Sequence, residues 1–444
     1  MPSSGATQAP LLRFALQDGR RATLLLGEAS TVLSIDDALV SSWDLAGRPY
    51  ALVRETGTYR RGLDGRLLWK RESSAHGPRQ RRRLSAAEGE PTVEAARLDA
   101  EAALRACRSE GGTPLVIPRD SGWTGPEESA VSAPAPADPS SPGPDGAPRG
   151  DIAEAVRRLH AIVALDTAAL REDAARFLAA SGPVGILPPD QYLSLVVRVT
   201  EGCSWNACTF CSLYRDVPFR WKRPDELDAH LAALCAYFGP SIALRRSIFL
   251  GDANALCLAH DRLLPLVERV AARFPGVPMF SFVDAWTGQR RTPAEWSAYA
   301  GLGLRRVYVG LESGDPGLLA WLEKPGSPRD AVDLVGALHD AGVAAGVIVL
   351  LGAGGERFAR DHTARTAETL TAMRLRPDDF VYFSEYVDDP ALAYGRRAAG
   401  EPDLQPLPPA RNAELRREIR AALRPADPAR PPRTATYDIR EFVY

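Results

Sequence analysis

Between residues 190 and 390 the chain alternates short apolar runs with helical stretches, and this alternation constrains the fold more than any other feature. Strand-like runs fall at 193–199, 247–250, 279–283, 306–310, 343–351 and 380–386, and helical patterns at 258–274, 293–300, 329–341, 360–373 and 412–423. Strand and helix units repeated in series predict an α/β fold whose parallel sheet has helical crossovers, either open or curled into a partial (β/α)6 barrel. In both versions ligands gather at the carboxyl ends of the strands.

The first part of the chain reads differently. Apolar runs at 11–16 and 22–26 flank Asp18-Gly19, and residues 59–70 surround Asp64-Gly65, so both segments predict hairpins. Residues 1–88 are therefore expected to form a small, mainly β module, and 89–124 a helical segment. Within that helix Val93, Ala96, Leu98, Ala102, Leu104 and Cys107 are spaced towards one face, with Cys107 read as a small buried hydrophobe. Arg79, Arg81, Arg82 and Arg83 read as a solvated linker. Residues 125–150, dense in Pro, Ser, Ala and Asp, have little to bury and predict a disordered linker. A helical lead-in at 151–189 precedes the 190–390 core, and a helical extension is expected over 391–444.

Composition excludes some functions. The 54 Lys+Arg against 56 Asp+Glu leave a formal charge of −2, which argues against a general binder of nucleic acid or membrane surfaces. The N-terminal residues lack the basic and apolar regions of a secretory signal, and the apolar run at 341–355 is too short to span a bilayer. Six cysteines in 444 residues do not make a disulfide scaffold, so a reducing, cytoplasmic setting is expected. Lysine is confined to Lys70, Lys222 and Lys324, which makes a retained lysine informative.

Three of the six cysteines crowd into the segment after the first of these strands, Thr200-Glu201-Gly202-Cys203-Ser204-Trp205-Asn206-Ala207-Cys208-Thr209-Phe210-Cys211. Three thiolates from one loop can converge on one metal centre, and an all-sulfur set selects zinc or an iron–sulfur cluster. Zinc motifs usually come as paired half-sites, whereas Cys235 and Cys257 stand alone. The C-x4-C-x2-C spacing also begins the plant-type ferredoxin pattern, although the strand–helix units that follow are not a small β-rich domain. The residues alone thus leave three readings: an open cluster for ligand chemistry, a closed electron-transfer or sensing cluster, and a zinc-stabilised nucleic-acid binder.

The segment resembles the radical SAM (S-adenosylmethionine) superfamily, in which three cysteines after the first strand hold a [4Fe–4S] cluster whose fourth iron is open to SAM. Phe210 stands where that family commonly has an aromatic, while the spacing of four residues rather than three between the first two cysteines is a departure. The resemblance extends over 190–390. It implies that Gly251-Asp252 form the turn receiving the SAM amino group and that Glu312 and Ser313 bond its ribose and methionine portions. Lys324 would hold the SAM carboxylate or a substrate anion, with helix-end packing as its alternative role, and Gly352, in the glycine-rich strand and loop ending at Glu356, would lie beside adenine. Glu356 has an alternative role in capping the following helix.

The resemblance further implies a 5′-deoxyadenosyl radical that abstracts hydrogen from a substrate the sequence does not identify, and a reductant such as flavodoxin or ferredoxin. Substrate-side candidates are Asp284 after the third strand and Tyr382, Ser384 and Glu385 on the sixth, with Arg215, Arg220 and Lys222 as anion-neutralising candidates. No cysteine follows Cys257, as an auxiliary-cluster domain would need, and neither an Asp-x-His-x-x-Gly cobalamin motif nor a three-cysteine N-terminal module is present, which favours hydrogen abstraction, rearrangement, elimination or C–C bond chemistry over cobalamin methylation or sulfur insertion.

Overall fold

The computed structural model describes residues 9–72, 80–108, 149–389 and 392–444. It divides into two compact units, the first made of 1–179 with 237–244 and 443–444, the second of 180–236 with 245–442. In the first unit, β1 (Leu11–Ala15), β2 (Arg21–Leu26), β3 (Ser30–Ile35), β4 (Leu39–Asp44), β5 (Pro49–Arg54), β6 (Gly57–Arg61), β7 (Leu67–Arg71) and β8 (Gln80–Leu84) form one antiparallel sheet in sequence order. Both expected hairpins are present, and their turns place Gly19 and Gly65 at φ +84° and +83°, where a side chain would be strained.

Alternate residues of these strands face inward, and Leu12, Leu24, Leu33, Trp43 and Leu52 meet α1 (Ala86–Arg108) and α2 (Arg149–Val163) through Ala96, Ala100, Ala103, Ala155 and Leu159. The helix α2, read from sequence as leading into the barrel, is thus part of this core, and most of α3 (Thr167–Ser181) is assigned to the same unit. Cys107 packs against the core and burial pushes its thiol up to about 11, whereas Leu98 points outward at 49% exposure. Arg81, Arg82 and Arg83 are not linker residues but lie in the edge strand β8, with Arg82 paired to Glu88. Such an edge charge discourages pairing with another chain. Arg79 and most of the expected 125–150 linker lie outside the described residues.

The second unit is built on β9 (Leu195–Arg198), then a small ribbon of β10 (Thr200–Glu201) and β11 (Arg220–Trp221), followed by α4 (Pro224–Phe238), β12 (Ile248–Gly251) and α5 (His260–Arg273). It continues with β13 (Met279–Asp284), α6 (Ala285–Gly288), α7 (Pro293–Gly301), β14 (Leu304–Glu312), α8 (Pro316–Trp321), α9 (Pro328–Asp340) and β15 (Ala344–Leu351). The last elements are α10 (Gly355–Ala372), β16 (Phe380–Glu385), α11 (Ala393–Ala398), α12 (Pro409–Ala422) and β17 (Arg433–Thr436).

Seven parallel strands run in the order β9-β12-β13-β14-β15-β16-β17. Each strand lies beside the next in sequence, the winding of a partial barrel rather than of a doubly wound sheet with a reversal of order. The six expected strands are all there. The seventh, β17, comes from the C-terminal segment expected to be helical; it is short and half exposed, so it lacks the apolar run that marks the others.

Strands buried on both faces must be apolar nearly throughout, and Val196, Val197, Phe249, Val307, Val309, Val347, Val349 and Val381 are all sealed from solvent. Capping boxes start α7 at Thr292/Glu295 and α9 at Ser327/Asp330, each followed by proline at the first helical position. By length and apolarity 224–244 matches a membrane span better than 341–355 does, yet Leu227, Leu231 and Leu234 are buried, as in a core helix.

On α4, His230 Nε2 accepts the amide N–H of Arg198 at 3.1 Å. Burial, reinforced by the charges of Lys222 and Arg198, lowers its pKa from 6.5 to about 4, and burial alone takes His362 on α10 to about 4. The unfolded chain therefore takes up these protons first as pH falls. Stability is expected to be full above the unfolded value of 6.5 and to decline as pH drops towards about 4. Denaturant midpoints measured between pH 7.5 and 5 check this, with H230Q flattening the slope.

Candidate active site

At the carboxyl end of β9 the chain enters the cysteine loop between the two strands of the β10–β11 ribbon. Gly202 sits at φ +74°, and a Cβ there would lie 2.6 Å from the Val217 carbonyl oxygen, so only glycine fits. The loop is tied down across the barrel: the Thr209 amide donates to the Leu322 carbonyl at 2.9 Å, Tyr394 N–H donates to the Thr209 carbonyl at 3.0 Å, and Trp205 Nε1 donates to the Glu323 carbonyl at 2.8 Å.

Cys203, Cys208 and Cys211 face one cavity of 310 Å³ with Phe210 beside them. Burial pushes the Cys208 thiol up to about 12 and raises that of Cys211, and metal binding to either would release its proton. Among the described residues no three His, Cys, Asp or Glu side chains close on a single metal ion. Three thiols of one loop lining one chamber could ligate three irons of an iron–sulfur cluster.

Polar groups reach this cavity from successive strand ends. The register of β14 against β15 shifts between Gly310 and Glu312, and Glu312 takes φ +60°, a costly conformation for a residue with a side chain. Its carboxylate meets Lys324 Nζ at 3.1 Å. Burial opposes the Lys324 charge, but Glu312, with Cys208 and Asp284 nearby, raises its pKa. Asp284 at the end of β13 accepts the Thr287 amide and hydroxyl, each at 2.7 Å, and is hydrogen-bonded to Asn254. Asn254 also donates to Ser204 in the cysteine loop at 2.9 Å.

Ser384 and Glu385 at the end of β16 line the same cavity, to which Phe282, Ile348, Tyr386 and Leu392 contribute apolar surface. Glu385 is 3.8 Å from Arg440, whose closer partner is Asp438 at 2.8 Å.

The residues expected at the site thus divide. The three cysteines, Phe210, Asp284, Glu312, Lys324, Ser384 and Glu385 share the cavity, whereas Gly251, Asp252, Ser313, Gly352 and Tyr382 do not line it. Asp252 is buried and turned to Arg198, with contacts of 3.0–3.2 Å, and accepts the Gly202 amide at 3.1 Å. Burial raises its carboxyl, against the pull of Arg198 and Gly202. Ser313 bonds His362 Nδ1 at 2.8 Å, and Tyr382 donates to Asp190 at 2.7 Å. Gly352, at φ +85°, lets Asn412 approach, and Glu356 in the first turn of α10 pairs with Arg411. Arg220 and Lys222 are both held by Glu201.

Asn254, two residues beyond Asp252, is a polar cavity residue that the sequence reading did not single out. A short polar side chain just past a strand end was the available signal.

Residues 197–367 match the model of the radical SAM superfamily, and they form a radical SAM domain within the second unit. Domains of this superfamily work with a [4Fe–4S] cluster and S-adenosylmethionine, and the three loop thiols around one chamber fit such a cluster.

No curated protein sequence matches the chain. Among solved structures it is similar to the radical S-adenosylmethionine methyltransferase TsrM from Kitasatospora setae, with 17% identity over 55% of each chain and a TM-score of 0.41. It is also similar to methylornithine synthase (PylB), with 16% identity, 56% of this chain and 67% of that one, and a TM-score of 0.38. Coproporphyrinogen III oxidase (HemN) from Escherichia coli gives 17% identity, coverage of 55% and 54%, and a TM-score of 0.39. The match spans about half the length of TsrM and of HemN.

Proposed function

We propose that this protein is a radical SAM enzyme that abstracts hydrogen from a substrate held in this largely apolar cavity. The observation carrying this reading is that three thiols of one loop, the Glu312–Lys324 pair and the Asn254–Asp284 pair face a single chamber at the carboxyl ends of the strands. When bound, the cluster and S-adenosylmethionine supply a one-electron cleavage that yields methionine and a 5′-deoxyadenosyl radical.

The chain's own residues hold and shield. Cys203, Cys208 and Cys211 would ligate three irons, while Lys324 offers a cation to a carboxylate, and Asp284 and Glu312 offer acceptors to an ammonium or hydroxyls. Phe210, Phe282, Tyr386 and Leu392 exclude water, and Ser384 and Glu385 face the substrate. A small one-electron carrier such as a flavodoxin or ferredoxin would supply the electron, in a reducing cytoplasm.

A second reading, a closed four-cysteine electron-transfer cluster, draws on Cys257, whose thiol burial pushes up to about 11 with Ser204 and Cys203 acting on it, although it does not line the cavity. Electron paramagnetic resonance of anaerobically reconstituted, dithionite-reduced protein separates the two. The open-cluster reading expects a [4Fe–4S]⁺ signal that shifts on adding S-adenosylmethionine, is absent in Cys203→Ala and persists in Cys257→Ala. A signal indifferent to S-adenosylmethionine and dependent on Cys257 would replace it with the carrier.

A further inference from the structure

We propose that Arg215 is a positioning residue that clasps the cysteine loop and sets the reduction potential of the cluster; the second half of this inference rests on the function proposed above. Arg215 follows Cys211 by four residues, and its guanidinium turns back over the loop instead of pairing with an acid. Its Nε donates to the Cys211 carbonyl at 3.0 Å, Nη1 to the Asn206 carbonyl at 3.0 Å, and Nη2 to the Cys208 carbonyl. Three planar donors on three carbonyls of one loop match the rigid fork of an arginine and cannot be reproduced by a single ammonium.

The same turn is tied from the other side. Asn206, in the spacer between Cys203 and Cys208, takes φ +48°, a left-handed conformation that asparagine tolerates better than most residues. Its Nδ2 donates to the Tyr214 carbonyl at 2.8 Å, and its amide lies 3.5 Å from Cys203 Sγ. Asn206 and Arg215 therefore interlock, each holding backbone beside the other, and this clasp fixes the four-residue spacer in one closed shape.

The clasp has an electrostatic consequence. Two of the three carbonyls belong to cysteines that face the cavity, so the guanidinium charge sits next to any cluster they hold. Among the described residues no carboxylate forms an ion pair with Arg215, and since the residue is exposed its charge is screened by water rather than by a counter-charge of the protein. Reduction adds a negative charge to a thiolate-bound cluster, and a nearby cation favours the reduced form. Net charge and hydrogen bonding around the sulfurs are established determinants of such potentials.

Two measurements on the full-length protein test this. In the metal-free form, peptide-resolved alkylation by iodoacetamide reads how often the loop opens. Cys208 and Cys211 of R215M are expected to react about tenfold faster than in the unaltered protein, equivalent to about 1.4 kcal/mol of lost closure, with R215K falling between. In the reconstituted protein, a redox titration followed by electron paramagnetic resonance is expected to move to more negative potential in R215M and to stay near the unaltered value in R215K. R215Q, which keeps an amide donor, substitutes in the titration if R215M loses its cluster.

Unchanged alkylation in R215M overturns the clasp. An unchanged potential in R215M, or R215K shifting as far as R215M, overturns the electrostatic role. A cluster indifferent to S-adenosylmethionine alongside Arg215-dependent alkylation would remove the proposed enzyme and leave the clasp standing.

Discussion

Cys208→Ala protein is expected to leave anaerobic reconstitution nearly colourless, with iron content and 5′-deoxyadenosine output both at background. Cys208 lines the same cavity as the other loop thiols and the Lys324–Glu312 pair, and both of those charges act on it. With three thiolates for a cluster whose fourth iron must stay open, none is redundant. Cys257 does not line the cavity, so it is not placed to substitute. The loss should be chemical and not structural. Removing one half-buried sulfur from the metal-free protein is expected to change its unfolding free energy by no more than about 1 kcal/mol. Iron analysis and absorbance near the thiolate-to-iron bands, set against denaturant curves of the metal-free forms, separate the two effects. Cys107→Ala, in the first unit, is the control that should keep full iron.

The features legible in sequence were those fixed by local periodicity and spacing. The six barrel strands announced themselves because strands buried on both faces have to be apolar throughout, and the cysteine loop because three thiols in nine positions have few other uses. The strand β17 was not legible, since Arg433–Thr436 is half exposed and gains its place only from β16 beside it.

Side-chain direction was the other gap. Tyr382 and Tyr308 both look available at strand positions, yet their hydroxyls turn to Asp190, more than a hundred residues earlier, a partner no local pattern reveals. Ser313 lies next to the cavity-lining Glu312 but faces the other way, to His362. One signal was present and went unused. Arg198 interrupts the run Leu195-Val196-Val197-Arg198-Val199, and a charge inside a buried strand calls for a buried partner.

That partner is Asp252, and Asp252→Ala is expected to cost the second unit about 3–5 kcal/mol of unfolding free energy. Arg198 is 8% exposed and keeps its guanidinium against the Asp252 carboxylate, close to Gly182, where an added Cβ would meet Arg198 Nη1 at 1.9 Å. With no room to swing into water, the arginine left behind is a buried, uncompensated charge, which is the costly half of breaking such a pair. Replacing both members together, as Arg198→Met with Asp252→Leu, is expected to recover most of the loss, because the desolvation of both ions disappears with them. The site should suffer as well. Asp252 also holds the Gly202 amide one residue before Cys203, and its own amide donates to Thr200 Oγ1 at 3.1 Å, so the brace between β9 and β12 anchors the start of the cysteine loop. The double variant is therefore expected to regain stability without regaining full iron. Were Asp252 instead a receiver of the S-adenosylmethionine amino group, as the motif alone suggests, the metal-free Asp252→Ala protein would unfold at the unaltered denaturant concentration and only the ligand-dependent shift of the cluster signal would be lost.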